Sequence, residues 1–167
     1  VLGELAVHKG TDMILAILNE FSEQLTVDFY GSAKEQNKHF IASIEKLPNA
    51  NYLGEVKSDE VTNLWPRYDF LIFPSRMDGW GMAVHEAVAH DTPVICSTAA
   101  GSAEHLVINN FNGFLFSPST QSMVENINKY IDQPALIKIH SQNCQQHKLH
   151  FSPQTTAKQF IENLIPT

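Results

Sequence analysis

Cysteine is nearly missing from this sequence: Cys96 and Cys144 are the only two in 167 residues, too few for a disulfide framework. Cys96 stands in an apolar run and reads as a small buried residue, which fits a reducing compartment. No apolar stretch reaches the roughly 20 residues of a bilayer span, and the opening residues lack a secretory pattern. The expectation is a soluble, cytoplasmic chain. Charge is sparse as well. Charged residues make up 17% of the chain, and 11 Lys and Arg against 18 Asp and Glu leave a formal charge of −7. The basic residues are scattered, which argues against nucleic acid as a main partner, because phosphate-backbone binding needs a concentrated cationic surface. A single phosphate group is a different case, since helix-end amides and one lysine hold it whatever the net charge.

What is present is an apolar 43% arranged as short runs alternating with amphipathic segments. At this size a fold buries roughly 70% of its unfolded surface, so no staple is needed. The runs Val1–Leu5, Thr26–Tyr30, Asn51–Val56, Asp69–Pro74, Pro93–Ser97 and Gly113–Phe116 read as buried parallel strands. Met13, Ile14, Ile17, Leu18, Phe21 and Leu25 recur at helical spacing and mark a first helix. Ser58 before Asp59 and Glu60 reads as a helix start, with Val61, Leu64 and Trp65 facing inward. A helix after Thr120 carries Met123, Ile127, Tyr130 and Ile131 inward. Ser152-Pro153 opens a last one, with Ala157, Phe160, Ile161 and Leu164 at core spacing. This βαβ alternation predicts an α/β fold with a doubly wound, Rossmann-like parallel sheet, whose ligands bind outside the carboxyl ends of the strands. No repeat, low-complexity tract or linker interrupts it, so residues 1–167 read as one domain. Opening directly in a strand, it reads as cut from a longer protein at a domain boundary.

The most informative stretch runs from Phe73 to Val94 and joins a buried strand, a glycine-bearing loop, a helix and the next strand. Gly79 and Gly81 let backbone approach a ligand closely, and the helix behind them points free N–H groups and its positive dipole end into the crevice. Such an end suits a phosphate. Glu86, a turn or more inside the helix, is placed to accept hydrogen bonds from sugar hydroxyls, as acidic residues do for ribose in dinucleotide folds. Asp78 has two readings, a ligand-facing carboxylate or a solvated loop residue that caps the helix.

From Val1 to about Pro118 the chain resembles the C-terminal, nucleotide-sugar-binding half of the retaining GT-B glycosyltransferases of the "group 1" family. That family shows two acidic residues separated by seven others and followed by a small residue. Here the pattern is Asp78-x7-Glu86-Ala87, with Pro74-Ser75 upstream and Thr92-Pro93-Val94 downstream. Gly3, Lys9-Gly10, Gly31, Gly54, Gly101-x2-Glu104 and Asn112-Gly113 follow in family order. The ordered set is specific where one motif would be weak.

The resemblance implies roles residue by residue. Glu86 takes the position that binds the donor ribose, and Asp78 the one near the donor sugar and its phosphates. The backbone of Gly81, Met82 and Ala83 would face the diphosphate. Lys9 matches the lysine that neutralises the leaving diphosphate, chemistry that calls for a nearby cation; without the resemblance it reads as an exposed loop lysine. Gly3 belongs to the same first turn. Two departures stand out. Glu4 follows Gly3 where the family usually has Arg, and a carboxylate there repels a diphosphate. Either Glu4 points away or another cation, Arg76 or Lys34, takes over. Asp78 is one methylene shorter than the usual Glu, yet Asp78-Gly79-Trp80-Gly81 resembles a subgroup of bacterial surface-polysaccharide transferases.

Several residues keep open readings. Glu104 either contacts the donor sugar or caps its own helix. His85 reads as packing rather than catalytic. Trp80 either stacks on ligand or wedges its loop against the sheet. His140, Cys144, His147 and His150 fall three or four apart, a spacing zinc sites use, but the surrounding segment is polar and a solvated helix is the plainer reading.

The expected activity is transfer of a sugar from a nucleotide diphosphate sugar to an acceptor hydroxyl with retention, in bacterial polysaccharide or lipopolysaccharide synthesis, with no metal or other cofactor. The sugar or lipid-linked acceptor would bind an N-terminal domain absent from this chain. Without that domain the isolated chain should be inactive, because the proximity of acceptor to donor is lost. Association with the inner membrane face would rest mostly on the same missing half. Two other classes share the architecture, a non-catalytic nucleotide-sugar-binding module and a sugar-nucleotide epimerase or phosphorylase.

Overall fold

The computed structural model describes residues 1–151, 155 and 157. Among the described residues five strands form, β1 Val27–Tyr30, β2 Ala50–Gly54, β3 Leu71–Phe73, β4 Val94–Ser97 and β5 Gly113–Phe116. Every ladder is parallel, with Val27 opposite Ala50, Leu71 opposite Val94 and Val94 opposite Gly113. Between them run α1 Thr11–Ile17, α2 His39–Ile44, α3 Met82–Ala89, α4 Ala103–Leu106, α5 Thr120–Asp132 and α6 Ala135–His147. The expected α/β alternation with a parallel, Rossmann-like arrangement is what forms.

The strand pattern puts alternate side chains into two apolar layers. Ile72, Ile95, Phe114 and Phe116 join β1, α1, α2 and α5 in one cluster. Leu71, Phe73, Val94 and Cys96 face the other way, against α3, α4 and Cys144 of α6. Strands apolar on both faces are the mark of a covered parallel sheet.

Three expectations are corrected. The segment Val1–Leu5 is not a full strand but makes one bridge, Leu2 to Tyr30. Among the described residues its backbone bonds to the β1 side, through Tyr30 N–H to Val1 O (3.0 Å), Gly3 N–H to Tyr30 O (2.9 Å) and Leu5 N–H to Ser32 O (2.8 Å). The sheet therefore falls into a two-stranded and a three-stranded part among the described residues. The helix expected from Ser58 is a pair of 3₁₀ turns, Val61–Asn63 and Trp65–Arg67, because Pro66 has no N–H and disfavours α geometry at Trp65. Val61, Leu64 and Trp65 are nonetheless buried as read. The first helix stops at Ile17 and tightens into a 3₁₀ turn over Leu18–Phe21. There the buried Asn49 amide donates to the carbonyls of Leu18 (2.9 Å), Phe21 (3.4 Å) and Leu25 (3.0 Å), tying the end of this turn to the residue before β2.

The helix after Thr120 forms as read, capped by Ser119, whose hydroxyl accepts from Ser122 N–H at 3.2 Å. Met123, Ile127 and Tyr130 point inward, while Ile131 is half-buried. Most of the helix read from Ser152-Pro153, including Phe160, Ile161 and Leu164, lies outside the described residues; Ala157 is exposed rather than in the core. The tail is not uniformly solvated either. His140 and Cys144 are buried, His140 meeting the Tyr130 hydroxyl at 2.9 Å and Cys144 the Asn112 carbonyl at 3.3 Å. Their side chains are used in packing α6 against the sheet layers. No described group of three His, Cys, Asp or Glu is placed to hold a metal.

Candidate functional site

The site is built at the carboxyl ends of the strands by loops held against one another. Gly31 ends β1 at φ +140, and a Cβ there would overlap the carbonyl of Gly3. Gly10 stands at φ +77 with its Cα against the carbonyl of Pro74. Only glycine permits both the backbone angle and the approach. The loop after β3 is tied to the first turn by Arg76 N–H to His8 O (2.8 Å). It is tied to the loop after β4 by Gly101 N–H to Asp78 O (3.0 Å) and Ser102 N–H to Trp80 O (2.9 Å). Gly81 at φ +86 then opens α3.

These loops enclose an open cleft of about 380 Å³, bordered by Gly3, Glu4, Lys9, Asp78, Met82, Ala83 and Glu86 among others. Lys9 Nζ lies 2.6 Å from Asp78 Oδ2, and the other Asp78 oxygen accepts from Trp80 N–H at 3.2 Å. Partial burial pushes the Asp78 carboxyl up, but Lys9 and the Trp80 and Gly81 N–H groups outweigh it and hold it below the ordinary carboxylate range. Asp78 thus faces the cleft and buttresses the turn before α3, but it is neither a solvated loop residue nor the helix cap, a position Gly81 holds with no side-chain cap bond. Glu86 is half-buried, and desolvation raises its carboxyl above the ordinary glutamate value against weaker pulls from His90 and His85. A carboxylate kept partly dry is a strong acceptor for hydroxyl groups.

Glu4 does not point away: it lines the cleft, with Lys34 Nζ 3.3 Å from its Oε1. Arg76 is elsewhere. Its guanidinium forms a two-pronged pair with Asp12 at 2.7 and 2.8 Å and also reaches the Val7 carbonyl, so it does not border the cleft. Gly79 and Gly81 also stay outside the lining. A Cβ on Gly81 would meet Phe73 at 3.2 Å, whereas one on Gly79 would stand in open space; the close approach there is made by Gly101, whose Cβ would be blocked by the Gly79 carbonyl. Glu104 is exposed in the first turn of α4; Ser102, not Glu104, occupies the cap position. Trp80 does neither: it is outside the cleft lining, and its exposed ring stacks on His105 of α4 at 6.1 Å rather than against the sheet. His85 packs its ring edge-on against Phe151 at 5.3 Å.

Thr11, Ser32 and Glu55 also border the cleft and were missed from sequence. The signal was available for two of them, because Gly31-Ser32 and Gly54-Glu55 end strands at the same sheet edge. The lining thus holds four carboxylates, Glu4, Glu55, Asp78 and Glu86, against the Lys9 ammonium. The positive groups at this cleft are Lys9, Lys34 on the Glu4 side chain, and the amino end of α3, where Met82 and Ala83 join the lining.

Comparison with known proteins identifies the family and agrees with the fold. The family described as "Glycosyl transferases group 1" matches residues 1–148. An uncharacterized glycosyltransferase of Methanocaldococcus jannaschii is 26% identical over 152 residues, covering 90% of this chain and 43% of that protein. The lipopolysaccharide core biosynthesis mannosyltransferase LpcC of Rhizobium leguminosarum is 26% identical over 155 residues, covering 87% and 44%. The chain therefore spans less than half of these relatives. Among solved structures, Anabaena HepE in complex with UDP-glucose superposes with a TM-score of 0.80 at 26% identity, covering 98% of this chain and 48% of that one. Among the described residues no helix is long and apolar enough to cross a membrane.

Proposed function

The chain belongs to the glycosyl transferases group 1 family, and we propose that residues 1–167 are the donor-binding domain of a retaining hexosyltransferase that uses a nucleotide diphosphate sugar. The observation that carries this reading is the meeting of Lys9, Asp78, Glu86 and the amino end of α3 in one cleft. Glu86 would accept from the ribose hydroxyls, and the Met82 and Ala83 amides with Lys9 would take the diphosphate. Asp78 would stand beside the donor sugar. The anomeric carbon to phosphate-oxygen bond then breaks with its electron pair on the diphosphate, where Lys9 neutralises the developing charge. The acceptor hydroxyl attacks from the same face, giving retention, and no metal or other cofactor is proposed.

The acceptor, a sugar or a lipid-linked glycan, would bind a second Rossmann-like domain N-terminal to this one. The isolated domain would be inactive for want of proximity. The relative that makes lipopolysaccharide core supports a role in surface-polysaccharide synthesis at the cytoplasmic side of the membrane, and the relative solved with UDP-glucose favours uridine as the base. The test is calorimetric titration with UDP, GDP, ADP and their glucose conjugates, with Glu86→Ala as control. Binding of one nucleotide series that Glu86→Ala abolishes supports the reading; equal binding by both proteins refutes it. The carboxylate of Glu4 in the cleft favours a second reading, a module that binds nucleotide sugar without turnover. Donor binding without transfer or hydrolysis in the protein that includes the acceptor domain would establish it.

A further inference from the structure

Val7–Lys9 is a 3₁₀ turn in which no side chain is buried, so packing does not fix where the Lys9 stem begins. Hydrogen bonds fix it. Some are local, such as Lys9 N–H to Ala6 O (3.1 Å) and Gly10 N–H to Val7 O (3.0 Å). More come from the loop after β3. Arg76 N–H reaches His8 O at 2.8 Å, and the buried Ser75 hydroxyl is shared between His8 O (3.2 Å) and Met77 O (3.0 Å). The Arg76 guanidinium donates to Val7 O and, at 2.7 and 2.8 Å, to both oxygens of Asp12 in the first turn of α1. Arg76 thus grips the chain on both sides of Lys9.

The same loop carries Asp78, whose Oδ2 meets Lys9 Nζ at 2.6 Å. Lys9 is therefore held twice, at its backbone through Arg76 and at its ammonium through Asp78. The two contacts behave differently when an anion enters. Asp78 stands in the cleft and competes for the ammonium, whereas Val7, Asp12 and Arg76 lie outside the cleft lining, so their contacts persist. A lysine stem is flexible, and only one whose base is already fixed delivers its charge without a further ordering cost on binding. Arginine suits the task because its rigid fork meets a carboxylate in two places while a further N–H serves a carbonyl.

We propose that Arg76, paired with Asp12, is a positioning residue for diphosphate binding: it touches no ligand itself but holds the Val7–Gly10 turn so that the Lys9 ammonium stands in the cleft before the nucleotide arrives. The inference rests on the donor-binding reading of the cleft. It gives the one arginine of this loop a part in binding that its distance from the cleft lining conceals, and it makes Asp12, which is on another element, a member of the same device.

Calorimetry with UDP and with uridine tests it, on the 167-residue chain, on Arg76→Met, Asp12→Asn and Lys9→Met, and on the double variant Arg76→Met/Lys9→Met. Asp12→Asn is decisive in sign. Charge alone predicts that losing a carboxylate tightens an anion, whereas a loosened turn weakens it. Asp12→Asn and Arg76→Met should each weaken UDP about five-fold and change uridine by less than about two-fold. The urea midpoint should move little, since the pair is partly exposed, at 36% and 38%; the near-isosteric Asp12→Asn carries the test whatever Arg76→Met does to folding. On the Lys9→Met background, Arg76→Met should alter UDP by less than about two-fold, as for two residues that act through one group. UDP binding unchanged or tightened in Asp12→Asn would overturn the proposal, and so would an undiminished effect of Arg76→Met in the absence of Lys9. If Lys9→Met itself leaves UDP binding unaltered, it is the donor-binding reading of the cleft that fails, and the proposal falls with it.

Discussion

Asp78→Asn should tighten diphosphate binding, although Asp78 stands in the middle of the cleft. In the free protein Asp78 holds Lys9 at 2.6 Å, with 28% of the lysine side chain and 16% of the aspartate side chain exposed. A diphosphate that takes Lys9 has to draw it from this partner while sitting a few ångströms from the same carboxylate. Two unit charges about 4 Å apart repel by about 4 kcal/mol at an effective dielectric of 20 and by about 1 kcal/mol in water. The half-exposed cleft lies nearer the second figure. Asparagine keeps an oxygen for the Trp80 N–H, so the turn before α3 survives, while the charge and the competition for Lys9 go. The expected gain is about 1 kcal/mol, roughly five-fold in Kd, and it should shrink with added salt. Stability should fall by about 1 kcal/mol through loss of a partly exposed ion pair. Calorimetry with UDP, with uridine as the uncharged control, measures the first effect, and urea denaturation the second. Lys9→Met should weaken UDP by ten-fold or more and leave uridine unchanged. If Asp78→Asn weakens UDP as much as Lys9→Met does, Asp78 orients Lys9 for the phosphates rather than competing with them, and the reasoning fails.

Asn49→Ala removes the buried amide's hydrogen bonds to the Leu18, Phe21 and Leu25 carbonyls and should destabilise the domain by about 2–3 kcal/mol, read as a lower urea midpoint. Gly31→Ala places a Cβ on the Gly3 carbonyl at a left-handed φ; stability should fall by about 2 kcal/mol or more, with UDP affinity falling too because Gly3 borders the cleft. Glu86→Gln separates stability from function. The folded carboxyl is raised by burial, so ionising it opposes folding, and that penalty sets in as pH rises through the range between the unfolded and the folded value. The Gln variant should therefore match the parent at pH 3 and exceed it by under ~1 kcal/mol at pH 7, while losing nucleotide affinity. Asp78 has the opposite sign: its lowered carboxyl adds stability above the unfolded value near ~4, lost as pH falls through the folded one. Chemical denaturation from pH 3 to 7 on Asp78→Asn should show its deficit only at the upper end.

What could be read from sequence was what the backbone dictates locally. Apolar runs closed by Gly or Pro gave strands within a residue or two at β4 and β5, since a buried parallel strand needs nothing else. The segment Val61–Trp65 has helical spacing, yet one Pro outweighs it, and periodicity reports which face is buried more faithfully than which helix forms. The site divides in the same way. Lys9 and Asp78 sit on loops that glycines bring together, and Glu86 lies a turn or more inside the helix that follows, so sequence order alone brings them to one cleft. Arg76 shows the limit. It is two residues from Asp78 and the right charge, but Asp12 opens the neighbouring helix α1 and takes it in a two-pronged pair. No pattern along the chain tells which carboxylate an arginine will meet across a sheet edge. Lys34 lies on a loop after another strand and ends at Glu4. A carboxylate at position 4 thus brings its own counter-cation to the cleft, and the unusual residue of the first turn is intelligible only together with a lysine thirty positions away.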